Sequence, residues 1–372
     1  MSWHIFELYN SKNEGTAVNL SVIDFFCGCG GTSAGLRSAG MNIVAGIDFD
    51  PKAIQTYTAN FPESQVIQKD IRLISESEIG LIIKKKCRHS KLIFSACAPC
   101  QPFSRQNRFR SPTDQRVSLL DELHRFVKKF LPDYILLENV PGIQKVSNGP
   151  FSNFLKLLKS LDYNVSYSVL NAANYGVPQN RRRLVLLAAR GHSIKLPEPE
   201  YGEGLKPYRV VRDAISKYPP IEHGSRSTSV QDHEAARLTD LLYRRISALK
   251  PGQNRNSWPP ELRLKCHAGI SGHTDVYGRL DWDKPAVTLT TKCISLSNGR
   301  FGHPCQNRAL SVREAAALQT FPEDFQFIGS IWEKGRQIGN AVPVLFAKAL
   351  GEQIIKSEVK NHGSQRFGQK NC

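Results

Sequence analysis

No stretch of this 372-residue sequence comes near the ~20 consecutive apolar residues that a membrane-spanning helix needs. Its first ten residues carry an acid early and lack a basic stretch followed by an apolar run, so no secretory signal is read there. The expected compartment is the cytoplasm. Cysteines number nine, an odd count at irregular spacings, which argues against a disulfide framework in a chain of this length. No second C-x-x-C exists to complete a zinc site with Cys97 and Cys100. Acidic residues are scarce beside basic ones, 33 against 50, for a formal net charge of +17. A surplus of that size favours a polyanion as partner.

What is present has an α/β texture. Apolar runs at Val18 to Phe26, Ile43 to Ile47, Val66 to Gln68, Leu92 to Ser95, Tyr134 to Leu137, Val165 to Leu170 and Leu184 to Ala189 read as strands. Helical spacing falls between them at Thr32 to Ala39, Lys52 to Asn60, Leu119 to Phe130 and Phe151 to Leu161. The alternation predicts a Rossmann-like, mostly parallel sheet covered on both faces. After Gly191 the chain turns rich in Pro, Gly, His, Ser and Arg, with one helical stretch at His233 to Ala248. Helical order returns at Ser311 to Leu318 and Val344 to Lys356. The expected division is a discontinuous first domain, 18–190 plus 335–358, a smaller irregular domain at 191–334, and flexible termini at 1–17 and 359–372.

Chemistry concentrates at strand ends. Asp24-Phe-Phe-Cys-Gly-Cys-Gly-Gly follows a strand and opens a helix, a turn at which a ligand can approach the backbone. Asp48 ends the next strand, where a carboxylate can bond ribose hydroxyls, and Phe49 offers a face to a purine. A dinucleotide fingerprint would need glycine at position 33, where Ser33 stands, so adenosylmethionine fits better than NAD. Pro99 and Pro102 stiffen the backbone around Cys100 and Gln101, which suits a presented thiol; a redox pair, a zinc half-site and an inert buried cysteine are the other readings. Glu138 closes a buried strand, an unusual place for a carboxyl that is neither used nor paired. Arg181, Arg182 and Arg183 abut another buried strand, which favours a directed use over a solvated face.

The ordered set DFFCGCGG, GIDFDP, KDI, APCQPFS, ENVPG, QNRRR, RALSVREAAALQTFP and QIGNAVP resembles the DNA (cytosine-5) methyltransferase family, of the prokaryotic restriction–modification type. The resemblance covers about residues 18–190 and 305–356. It implies that Phe26, Gly28, Gly30, Asp48, Phe49, Asp70, Ile71, Leu119 and Asn340 surround S-adenosyl-L-methionine, with no metal. It implies Cys100 as nucleophile, Glu138 as the acid that activates the ring, and Arg181 and Arg183 as groups holding the base and the nucleophile loop. The substrate would be double-stranded DNA, bound by a monomer, with a cognate restriction endonuclease acting on the same site. Two departures stand out: Cys97 where the family often has glycine, and Phe49 where tryptophan is frequent. Residues 191–334 would recognise the target, with His273, Asp275, Tyr277, Arg279, Lys292, Ser295, Ser297, Arg300 and His303 as polar side chains of base-reading type. A transfer RNA methyltransferase and a catalytically silent DNA-binding regulator are the rival readings.

Overall fold

The computed structural model describes residues 18–98, 119–146, 148–264 and 275–368, with side chains to residue 361. Cys100, His273 and the segments 1–17 and 369–372 lie outside the described residues. Seven strands, β1 (Leu20–Phe25), β2 (Asn42–Asp48), β3 (Gln65–Gln68), β4 (Lys91–Ala96), β5 (Tyr134–Asn139), β6 (Tyr163–Asn171) and β7 (Arg182–Arg190), form one sheet in the order β3-β2-β1-β4-β5-β7-β6. The first five are parallel; β7 runs antiparallel to both β5 and β6. Strands β1 and β5 are buried along their whole length, which is why they read as near-continuous apolar runs rather than alternating ones.

Ten helices complete the described fold: α1 (Gly31–Ser38), α2 (Pro51–Asn60), α3 (Glu76–Lys86), α4 (Leu119–Phe130), α5 (Pro150–Ser160), α6 (Val211–Ile215), α7 (Asp240–Ser247), α8 (Val312–Leu318), α9 (Ile331–Asn340) and α10 (Val344–Gly368). Two apolar layers sandwich the sheet. On one face Leu36 of α1, Tyr57 of α2 and Phe346 and Leu350 of α10 pack against Val22, Ile93 and Leu136. On the other, Ile82 of α3, Leu123 and Phe126 of α4 and Phe154 of α5 pack against Phe25, Phe94 and Leu137. Each such fully buried side chain is worth roughly 1.5–3 kcal/mol of transfer free energy.

Sequence reading missed α3. Its buried stripe is only Ile79 and Ile82, while Leu81 is exposed, so the period is faint; the signal was the capping box of Ser75 and Glu78. The helix expected at His233 to Ala248 is a correction: only Asp240–Ser247 is helical, with Thr239 as cap. His233 is instead a buried strut. Its Nε2 donates to Pro219 O at 2.8 Å, so Nδ1, 2.8 Å from Ser311 Oγ, accepts. The polar tail also needs correcting, because α10 continues to Gly368, and the buried Glu358 accepts a hydrogen bond from the Tyr134 hydroxyl.

The composition break at Gly191 is not a break in packing. Val211, Ile215, Leu289, Ile294, Leu310 and Val312 share the first apolar layer with the sheet. Among the described residues, one small separate cluster, built on Leu238, Ile246, Leu249, Trp258, Leu262, Leu296 and Ala309, belongs to the irregular region alone.

Candidate active site

The carboxyl ends of β2, β1, β4 and β5 are neighbours, in that order, and the sequence motifs lie on them. After β1 the chain enters the left-handed region at Phe26 (φ 60°), Gly28 (φ 54°) and Gly30 (φ 99°). Phe26 is the informative one, since a bulky residue there stores on the order of 1–3 kcal/mol of strain, a cost met mostly at functional turns. Gly30 has no alternative: a Cβ would lie 2.4 Å from the Phe61 ring. The turn is locked to β2, because Gly28 N donates to Asp48 Oδ2 at 2.8 Å and Cys27 N to Ile47 O at 2.9 Å. Asp50 N donates to Asp48 Oδ1 at 2.9 Å. Burial raises the Asp48 pKa above the usual carboxylate range, against those two amides. Phe49 beside it leaves 62% of its surface exposed, an aromatic face open for stacking.

Beneath the turn, Ser33 Oγ donates to Asp24 Oδ2 at 2.7 Å and sits 3.0 Å from Tyr57 OH. Ser33, where a dinucleotide site would carry glycine, is thus a tie between α1, β1 and α2. Burial pushes the Asp24 carboxyl up to about 7, against the Ser33 and Ser95 hydroxyls, which favour its ionised form. Folded Asp24 therefore keeps its proton to near neutrality, while the unfolded chain releases it near pH 4. The folded state binds more protons between those values, so stability falls as pH rises from about 4 to 7, by roughly 4 kcal/mol in all. Asp24→Asn is expected to remove that decline. Urea unfolding at pH 5 and pH 8 checks it: the variant should gain on the wild type at the higher pH, and parallel pH curves would refute it.

The other residues expected around the cofactor have these places in the fold. Asp70 caps the 3₁₀ turn at Ile71–Leu73 and is held by Arg72, whose Nε donates to Oδ1 at 2.9 Å; that bond lowers its pKa. Ile71 is buried and its carbonyl accepts from Arg125 Nη2 of α4 at 2.6 Å. Leu119 is buried at the start of α4, and Asn340 is the exposed last residue of α9.

The second group surrounds β5. Glu138 is 7% exposed, and Arg183 Nε lies 3.0 Å from its Oε1, an ion-pair contact without the alignment of a hydrogen bond. Register explains the meeting: because β7 is antiparallel, Glu138 pairs with Val185 and Asn139 with Leu184, so the start of β7 lies beside the end of β5. Asn139 Nδ2 donates to Ala98 O at 3.1 Å, anchoring the described end of the segment that leads into Cys100. Thr32 Oγ1 lies 3.4 Å from Cys97 Sγ, linking that segment to the glycine turn. Neither Thr32 nor Asn139 was singled out from sequence, although Asn139, a polar residue inside a buried strand, carried the signal.

Arg181 is buried, and two of its hydrogen bonds run to Leu289 O (3.0 Å) and Gly339 O (3.4 Å). Gln179 works with it, accepting from Leu289 N at 3.0 Å and donating to Gln319 Oε1 at 2.9 Å. Gly339 admits no side chain at this seam, since a Cβ would lie 2.0 Å from Thr290 O. Cys29 and Cys293 are neutral thiols, pushed up to about 12 by burial. Among the described residues no group of three or more His, Cys, Asp or Glu is placed to hold a metal ion.

The sequence profile of the C-5 cytosine-specific DNA methylases matches residues 20–356. The chain belongs to this family of DNA cytosine-5 methyltransferases. It is 41% identical over 353 residues to the Type II methylase M.HgiDII of Herpetosiphon aurantiacus, covering 93% of this chain and 98% of that one. It is 36% identical over 344 residues to the Type II methyltransferase M1.HphI of Haemophilus parahaemolyticus, covering 91% and 87%. Among solved structures, a candidate DNA modification methyltransferase encoded within a prophage (E. coli) superposes with a TM-score of 0.72 at 25% identity, covering 91% of this chain and 99% of that one. The methylase fold accounts for the sheet order and for the strand ends on which the motifs gather.

Several target-reading candidates are corrected by their surroundings. Arg279 is buried and donates to the carbonyls of Leu249 (2.8 Å), Ile246 (2.9 Å), His303 (2.7 Å) and Gln306 (2.5 Å) and to Asn307 Oδ1, so it braces the irregular region and has no donor to spare for a base. His303 is buried, its pKa lowered to about 4 by burial, and its Nδ1 accepts from Gln306 N at 3.0 Å. Arg300 is paired with Asp275 at 3.0 Å. Lys292 and Ser297 are exposed, while Ser295 and Tyr277 are half-buried.

Proposed function

We propose that this DNA methylase takes its methyl group from S-adenosyl-L-methionine and attacks cytosine through Cys100. The donor set fits the cofactor: Asp48 would take ribose hydroxyls on its remaining lone pairs, the exposed Phe49 ring would stack on the adenine, and the glycine turn would let the ligand reach the backbone. Ile71, Leu119 and Asn340 would complete the cradle, and Asp70, turned toward Arg72, would contribute through the turn it caps. Bound there, adenosylmethionine supplies an electrophilic methyl group.

The protein's own work is on the base. A duplex hides carbons 5 and 6 of cytosine, so the target nucleotide must be extruded. The Cys100 thiolate adds to carbon 6 and breaks the aromaticity, while Glu138 gives a proton to ring nitrogen 3, leaving carbon 5 nucleophilic. After methylation, loss of the carbon 5 proton, return of the nitrogen proton and expulsion of Cys100 restore the ring. This is covalent catalysis that divides one hard step into easier ones. Arg183 orients Glu138, and Arg181 with Gln179 fixes the seam on which the catalytic ends rest. The observation that carries the reading is the Glu138–Arg183 contact beside the Asn139–Ala98 bond, which ties the chain two residues before Cys100 to the end of β5.

The region 191–334 reads the target sequence, the enzyme acts as a monomer in the cytoplasm, and it protects host DNA against a restriction endonuclease, as the Type II names of its relatives suggest. Bisulfite sequencing of DNA from an expressing host identifies the site, and duplex DNA should be methylated where transfer RNA is not. The decisive test is trapping. Wild type should form a denaturation-resistant adduct with a target duplex carrying 5-fluorocytosine, and Cys100→Ser should form none and transfer no methyl group. An adduct in the serine variant would reject the assignment.

A further inference from the structure

Helices α3, α4 and α5 pack side by side on one face of the sheet. Each follows one parallel strand and precedes another: β3 to β4, β4 to β5, β5 to β6. All three therefore run back from the carboxyl ends of the strands and finish at the opposite edge, about 20 Å from the catalytic ends for six-residue strands. Their final turns are basic. Lys84 and Lys85 lie in the last turn of α3 with Arg88 two residues past its end, Lys128 and Lys129 lie in the last turn of α4, and Lys159 lies in the last turn of α5 with Lys156 just before it; all seven are exposed, and among the described residues none pairs with a carboxylate. Nearby acids are few and mostly occupied: Asp133 holds Lys91 at 3.1 Å, Glu63 faces Arg37 at 3.5 Å, and Asp162 is exposed. Exposed Leu81 and Gln65 line a shallow pocket with Lys84, Lys85 and Arg88, so the row has a contoured end as well as charge.

Cations at helix carboxyl ends complement the backbone dipole, a gain of ~0.3–1 kcal/mol each that a single residue per helix supplies. Seven at one edge of the sheet exceed that need. Neighbouring helices lie ~10 Å apart, so three ends span ~20 Å. That length matches about six base-pair steps of a duplex, at ~3.4 Å of axis each.

We propose that this edge binds a second segment of duplex DNA through its phosphates while the catalytic edge engages the target. The inference rests on the methylase reading, because DNA is the polyanion this enzyme meets. A two-edged enzyme passes between segments of a long DNA without full release.

The test uses the full chain, trapped on a short target duplex containing 5-fluorocytosine and titrated with a labelled non-target duplex. Wild type should bind the second duplex, with an affinity that falls steeply as salt rises. The variant Lys84→Gln/Lys85→Gln/Lys128→Gln/Lys129→Gln should lose that binding, its log–log salt slope shrinking by about three to four. Its turnover on the short duplex should stay unchanged, while methylations per encounter on kilobase DNA fall several-fold. If the trapped wild type ignores the second duplex, or binds only an acidic protein, the proposal is overturned. Equal loss on short and long DNA also overturns it, by placing these lysines in the target's own path. Failure of the adduct to form counts against the catalytic reading alone; the same titration then proceeds on enzyme saturated with unmodified target. Should the fourfold variant unfold, Lys156→Gln/Lys159→Gln gives the same reading with a slope change near two.

Discussion

Glu138→Gln is expected to lower kcat about 10²–10⁴-fold, the usual contribution of a positioned proton donor, with DNA affinity kept. Glutamine has the shape of glutamic acid and can hydrogen-bond ring nitrogen 3, but it has no proton to give. The site makes that difference matter. Glu138 is buried at the end of β5, its neighbour Asn139 is tied to Ala98 at 3.1 Å, and Arg183 stands 3.0 Å away. A buried carboxyl in so constrained a place has little freedom for another group to take over its role. The fold places Arg183 through strand register, so Arg183→Lys should weaken turnover by a smaller factor, since lysine offers a point charge in place of a fork. Single-turnover methyl transfer on a short duplex, with a gel shift for binding, separates the two effects. A kcat for Glu138→Gln within threefold of wild type would remove the carboxyl from the chemistry.

The largest expected loss of stability lies elsewhere, at Glu314. This carboxylate, 1% exposed, accepts from Arg308 Nη1 and Nη2 at 2.7 Å each, and from Ser311 N at 2.8 Å. His303 is no substitute partner, since burial lowers its pKa to about 4 and it is neutral at pH 7. Glu314→Ala strands the buried Arg308 guanidinium and breaks the capping box of α8. Leaving one member of such a pair costs about 3–5 kcal/mol, a large part of the ~5–15 kcal/mol that holds a domain together. Scanning calorimetry should show the melting temperature falling by on the order of 10 °C. Replacing both partners with apolar residues, Arg308→Met with Glu314→Leu, should recover much of that loss, because no buried charge is left alone. If the single and double variants melt together, the ion pair is not what the site depends on.

Some of this was legible from residues alone. A buried strand advertises itself by an apolar run, a helix by its spacing and cap, and a catalytic strand end by a polar residue where none is expected. Hence the strands from β1 to β7, the glycine turn, Asp48, Glu138 and the arginines of QNRRR could all be placed before any coordinate. Local pattern failed where stability comes from few contacts or distant ones. The faint stripe of α3, with Ile79 and Ile82 its only fully buried residues, hid a real helix, and polar residues past Ser357 hid the length of α10.

The sequence by itself determined the order of motifs, the chemistry each can perform and the basic charge that suits DNA, because these depend on residue type and on neighbours a few positions away. Only the tertiary structure decided which polar side chains meet. The antiparallel course of β7 brings Arg183 to Glu138, Ser33 is spent on Asp24, and Arg279 and His303, both plausible readers of bases, are consumed inside the fold. The reason is physical: a hydrogen bond or ion pair between residues far apart in sequence is set by strand register and helix packing, and a one-dimensional pattern carries neither.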